Sequence, residues 1–92
     1  MIRRRYVFFG RVQGVGFRYR ARLAADHFGC TGWVRNEYNG SVTMEIQGPR
    51  EAIEQVVESI ERGIYIRIED FFCEEIPVTD GETGFDSVRG QT

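Results

Sequence analysis

Twice along this 92-residue chain an alternating, β-rich run passes through a glycine-marked turn into an apolar period of 3.6 residues, and that order constrains the fold more than any other feature. The first passage runs from RYVFFG (Arg5 to Gly10) through RVQGVG into FRYRARLAADHF, where Phe17, Ala21, Ala24 and Phe28 share one helical face and Leu23 falls off it. Gly29 is placed to cap that helix. TGWVRN then predicts a second strand, and EYNG a turn with Asn39 and Gly40 in favoured positions. In SVTMEIQ the alternation is strict: Val42, Met44 and Ile46 face one way, Ser41, Thr43, Glu45 and Gln47 the other, so a hairpin with one buried side is expected. The second passage opens at Gly48 and Pro49, with Pro suited to the first helical position and Glu51 and Glu54 to the positive helix end. Ile53, Val56, Val57 and Ile60 form the inner face of that helix, and Gly63 is expected to close it. IRIEDFFCEEIPV predicts a fourth strand, DGET a turn, and FDSV a short fifth strand.

A βαββαβ order with right-handed crossovers closes as an α+β fold of the ferredoxin-like, split βαβ kind, one mixed sheet with both helices on one face. Residues 1–92 are expected to form a single domain, since a chain of this length supports one core. The first two strands then run parallel with the third between them, so their carboxyl ends share an edge of the sheet, roughly 9–10 Å apart. The loop after Gly10 and the side chain of Asn36 meet at that edge.

Charge excludes several classes of partner. Fourteen acidic residues against twelve basic give a net charge of −2, too little field to recruit nucleic acid or an anionic membrane. No stretch reaches the 18 apolar residues of a membrane span. The run from Tyr6 to Phe9 behind Arg3, Arg4 and Arg5 is too short for a signal-peptide core, so a cytoplasmic location is expected and the arginines are read as a solvated edge. All twelve basic residues are arginine, which removes Schiff-base lysine chemistry and leaves planar, forked recognition of anions. Cys30 and Cys73 fit neither a metal-ligand spacing nor a disulfide framework and are expected to be thiols.

The segment GRVQGVGFR places Gly10, Gly14 and Gly16 between a strand end and a helix start, where unpaired N–H groups and the helix dipole both favour an anion. Arg18, in the first helical turn, can reach back over that nest with paired donors. Three glycines alone would equally be turn punctuation. A Walker loop is excluded because it needs a lysine, and a dinucleotide fingerprint starting at Gly14 would need glycine at Tyr19.

GRVQGVGFR, with GWVRN fourteen residues later and NGSV after it, closely resembles the acylphosphatase family, and the resemblance spans about Arg5 to Arg89. It implies hydrolysis of the carboxyl-phosphate bond of small acyl phosphates, without cofactor or metal, by a free-standing monomer. It further implies that Gln13, Gly14, Val15, Gly16, Phe17 and Arg18 cradle the phosphoryl group, that Arg18 binds it, and that Asn36 orients the attacking water. The family usually carries an apolar residue where this chain has Ser87, a departure that bears on the last strand rather than on the chemistry. Taken alone, Asn36 reads better as a strand terminator, and its place at the same sheet edge as the loop is what reverses that in favour of the catalytic role. His27 lies about three turns from the loop and is expected in solvent. Arg35 should point to the sheet face opposite Asn36 and is read as solvated, and Trp33 as packing.

Two other readings share the strand order. RNA-binding modules of this topology stack bases on aromatics of the third strand, where this chain has Ser41, Thr43, Glu45 and Gln47. A binding segment of a larger carbamoyl-transfer protein is the closer alternative, and the expectation of a free-standing enzyme rests on the lack of any further domain or cysteine cluster in these 92 residues.

Overall fold

A computed structural model describes residues 1–89 as five strands and two helices: β1 (Ile2–Arg11), α1 (Phe17–Phe28), β2 (Thr31–Asn36), β3 (Val42–Gly48), α2 (Arg50–Glu61), β4 (Arg67–Ile76) and β5 (Phe85–Ser87). The sheet order is β4-β1-β3-β2-β5. β1 and β2 each pair antiparallel with β3 and so run parallel to one another, β4 pairs antiparallel with β1, and β5 extends the far edge parallel to β2. The ferredoxin-like arrangement expected from the periodicities is the one observed, with a fifth strand added beside β2.

Alternation decides the core. Tyr6 and Phe8 of β1, Val34 of β2 and Val42, Met44 and Ile46 of β3 share the face that the helices cover, and all six are buried. Phe17, Ala21 and Ala24 of α1 and Ile53, Val56 and Ile60 of α2 meet them. The small alanines of α1 let that helix lie close to the sheet, whereas α2 fills its layer with branched side chains. Leu23 and His27 are exposed, as their positions off the apolar stripe require. Pro49 caps α2 from an extended conformation (φ −60°, ψ 143°) one residue before the first helical position. The C-cap is Arg62 rather than Gly63, and Gly63 makes the following turn by donating to the Ile60 carbonyl.

The hairpin expected to have one buried side has two. Ser41, Thr43 and Gln47 on the face away from the helices are buried, and the connection from β4 to β5 folds across the Gln47 end of that face. Gln47 anchors it: its amide donates to the Thr79 carbonyl at 3.0 Å, and the Thr79 N–H donates back to its Oε1 at 2.8 Å. Arg3, read from sequence as a solvated edge, lies beneath this strap at 3% exposure, with Glu82 at 2.8 Å and Glu45 at 3.0 Å. The alternation of β3 was legible, but the polar face found its own cover in a distant loop.

One close approach fixes β2 against β3. Gly32 has φ +138°, and a β-carbon there would lie 1.9 Å from the Glu45 carbonyl oxygen. No other residue fits at that point of the ladder.

Candidate active site

Residues 11–16 carry the chain from the end of β1 to the start of α1. Gly16 is the N-cap, at φ 82° and ψ 15°, and no side chain caps the helix. A β-carbon at Gly16 would meet nothing within 4 Å, so the glycine is demanded by its left-handed dihedral and not by crowding. The first N–H groups of α1 consequently point out of the helix without a capping acceptor, and the positive end of the dipole adds to them. No acidic residue stands in the first turn to compete for them. Phe17 anchors this helix end: its ring is 5.1 Å from that of Phe8 and it is almost wholly buried. Arg18 follows immediately and is held at the mouth of the loop.

A cavity of about 310 Å³ opens there. Gly14, Gly16, Phe17 and Arg18 line one side, with Asn36 and Ser87 among the other residues of its wall. Tyr19 and Arg22 of α1 complete it, together with Val12. The wall holds two arginines and no carboxylate, histidine or cysteine, so its charge is positive and it offers no metal-ligand set.

Asn36 is the last residue of β2 and stands opposite Val42, on the helix-facing side of the sheet with Val34. Its Oδ1 is buried and accepts no hydrogen bond, the one buried side-chain nitrogen or oxygen in that condition among the described residues. Such an atom costs on the order of 1–3 kcal/mol, which sets Asn36 apart from the other buried polar side chains. Arg18 and Asn36, eighteen residues apart in sequence, thus share one cavity because β1 and β2 run parallel on either side of β3.

Gln13 and Val15, expected in the same phosphate loop, direct their side chains elsewhere. The Gln13 amide donates to the Glu37 carbonyl at 2.7 Å and the Ser41 carbonyl at 2.9 Å, which staples the loop to the β2–β3 turn beside Asn36. Val15 packs against the core. Backbone N–H groups are all that these two residues can offer an anion. Arg35 lies on the opposite sheet face, as alternation requires, but it is paired: Glu37 is 3.0 Å away and the Trp33 ring 4.8 Å below its guanidinium. Hydrogen bonds from Thr43 and Arg35 hold the Glu37 carboxyl below its ordinary value despite partial burial.

Tyr19, Arg22 and Ser87 of the wall were not expected at the site from sequence. Arg22 was legible, since it follows Arg18 by four residues on a helix. Tyr19 carried no signal. Ser87 enters because β5 pairs alongside β2 through Val34, so the departure at that position touches the cavity as well as the strand.

The acylphosphatase family model matches residues 4–87. The acylphosphatase of Clostridium beijerinckii is 41% identical over 86 residues, covering 92% of this chain and 96% of that protein. That of Bacillus licheniformis is 39% identical over 82 residues, covering 88% and 91%. The crystal structure of the acylphosphatase from Bacillus subtilis matches with a TM-score of 0.87 at 35% identity, over 96% of this chain and 99% of that one.

Proposed function

The chain belongs to the acylphosphatase family, and from that premise we propose that the 11–18 loop and Arg18 hold the phosphoryl group of an acyl phosphate while Asn36 aims the water that attacks it. The activity is hydrolysis of the carboxyl-phosphate bond to a carboxylate and inorganic phosphate. The observation that carries the residue roles is the shared cavity, whose wall holds Gly14, Gly16 and Arg18 together with Asn36 and no acid to compete for an anion. An amide carries both a donor and an acceptor, so Asn36 can orient a water in that cavity without acting as a base.

The chemistry asks little more. A new bond forms from the water oxygen to phosphorus as the bond from phosphorus to the acyl oxygen breaks, and the electron pair leaves on the carboxylate. With a pKa near 4, that carboxylate departs without a general acid. Phosphoryl transfer through a loose transition state is mainly positioning and charge stabilisation on the equatorial oxygens, which inward N–H groups and a guanidinium supply. The proton of the water passes to the phosphate. No metal or cofactor enters this reading, because the positive charge comes from arginine and backbone dipoles.

Residues 1–92 act as one domain and as a monomer in this proposal, in the cytoplasm, where the two free thiols, Cys30 buried and Cys73 exposed, would remain reduced. The test is Asn36→Ala on acetyl phosphate. Turnover should collapse while inhibition by inorganic phosphate stays near wild type, because the cradle is intact and only the water is misplaced. A folded Asn36→Ala protein with near-normal turnover would show that the water is held elsewhere.

A further inference from the structure

Arg22 plays no part in the reading of the phosphoryl site, yet it lines the same cavity. It stands four residues after Arg18 on α1, so the two guanidinium groups leave one helix face a single turn apart, about 6 Å along the axis. Like charges at this spacing weaken a helix, and a carboxylate would normally be placed to relieve them. The C-terminal end of α2 has such a partner, Glu58, set 2.7 Å from the C-cap Arg62 one turn on. α1 does not: among the described residues Arg22 makes no ion pair, with Asp26 one turn on or with any other acid. The cavity therefore carries two arginines and no negative charge, and a phosphoryl group seated on the loop and Arg18 accounts for one of them.

We propose that Arg22 is a specificity-determining residue that receives a second anionic group on the acyl side of the substrate. The preferred substrates are then acyl phosphates whose acyl chain ends in a carboxylate or a phosphate. This rests on the reading of Arg18 and the loop as the phosphoryl site. Arg22 lies one helical turn beyond the loop where the N–H groups converge, and a four-carbon diacid monophosphate separates its two anions by a distance comparable to that turn. Bond changes are those of the parent reaction: succinyl phosphate and water give succinate and phosphate. Arg22 stays protonated throughout and moves no proton. Because Arg22 is exposed, its contribution is that of a solvated charge pair strengthened by hydrogen bonding, and its effect should be modest.

The experiment compares kcat/KM for succinyl phosphate and acetyl phosphate, at equal ionic strength, in the full-length protein and in Arg22→Gln, Arg22→Lys and Arg22→Glu. The succinyl-to-acetyl ratio should fall about 5-fold in Arg22→Gln, mainly through KM, fall further in Arg22→Glu and be largely kept in Arg22→Lys. In the wild type the same ratio should decline as salt is raised, a readout that needs no variant. An equal loss on both substrates would move Arg22 to the phosphoryl group and overturn the proposal, as would a ratio unchanged in Arg22→Gln. A wild-type protein inactive on both succinyl and acetyl phosphate would instead defeat the phosphoryl-site reading itself.

Discussion

Arg18 and Asn36 border one cavity but meet different parts of the reaction, and their substitutions should fail differently. Arg18 meets charge present in substrate, product and transition state alike. Arg18→Ala should lower turnover by about 10²–10³, by analogy with loss of an oxyanion donor, and should also weaken inhibition by phosphate. Steady-state kinetics with phosphate as product inhibitor checks both, and an unchanged inhibition constant would remove Arg18 from the phosphoryl site. Both residues were legible in the sequence, Arg18 from its place in the first turn of a helix behind three glycines and Asn36 from the shared sheet edge. The burial of Asn36 Oδ1 was not, because it depends on what the fold packs around the end of β2 and not on any local pattern. Gln13 shows the converse: its residue type fits a phosphate loop, while its amide is consumed by two carbonyls of the β2–β3 turn.

At the scale of elements, the two helices and the first three strands follow from apolar period and glycine placement, with ends that differ from expectation by a few residues. β1 begins at Ile2 rather than Arg5, since pairing with both β3 and β4 extends it through the arginine run. The β2–β3 ladder depends on Gly32, where any β-carbon would collide with a backbone oxygen that belongs to the partner strand. Gly32→Ala should cost roughly 2–4 kcal/mol of stability, the range of overpacked and strained sites. Urea denaturation would measure it, and a loss under about 0.5 kcal/mol would mean that the strands separate there without penalty. Asn36 ends the same strand, so turnover on acetyl phosphate should fall with stability in that variant.

On the scale of the whole molecule, the strap between β4 and β5 covers the Arg3 and Gln47 end of the sheet face that the helices leave open, and Arg3 clasps it through Glu82. Burial by itself would raise the Glu82 carboxyl, but the hydrogen bonds and charge of Arg3 hold it below its ordinary value of 4.5. A folded value below the unfolded one means stability that is fully present above about pH 5 and is lost as pH falls through the lower folded value. Glu82→Gln should therefore lose less stability than the wild type between pH 7 and pH 3, measured as the shift in urea midpoint. An identical shift in both proteins would show that the clasp contributes nothing to the pH dependence. No helix among the described residues is long and apolar enough to cross a membrane. What the sequence alone determined is everything carried by local period and local dihedral demand: the order of elements, the helix-facing core, and a glycine loop opening onto Arg18. Only the tertiary structure decided which polar groups are satisfied, because a side chain's partners lie across strands and loops whose register no local pattern encodes. That is why Arg3 became a buried clasp, Gln13 a staple, Arg22 part of the cavity wall, and Asn36, among the described residues, the one buried amide oxygen without a partner.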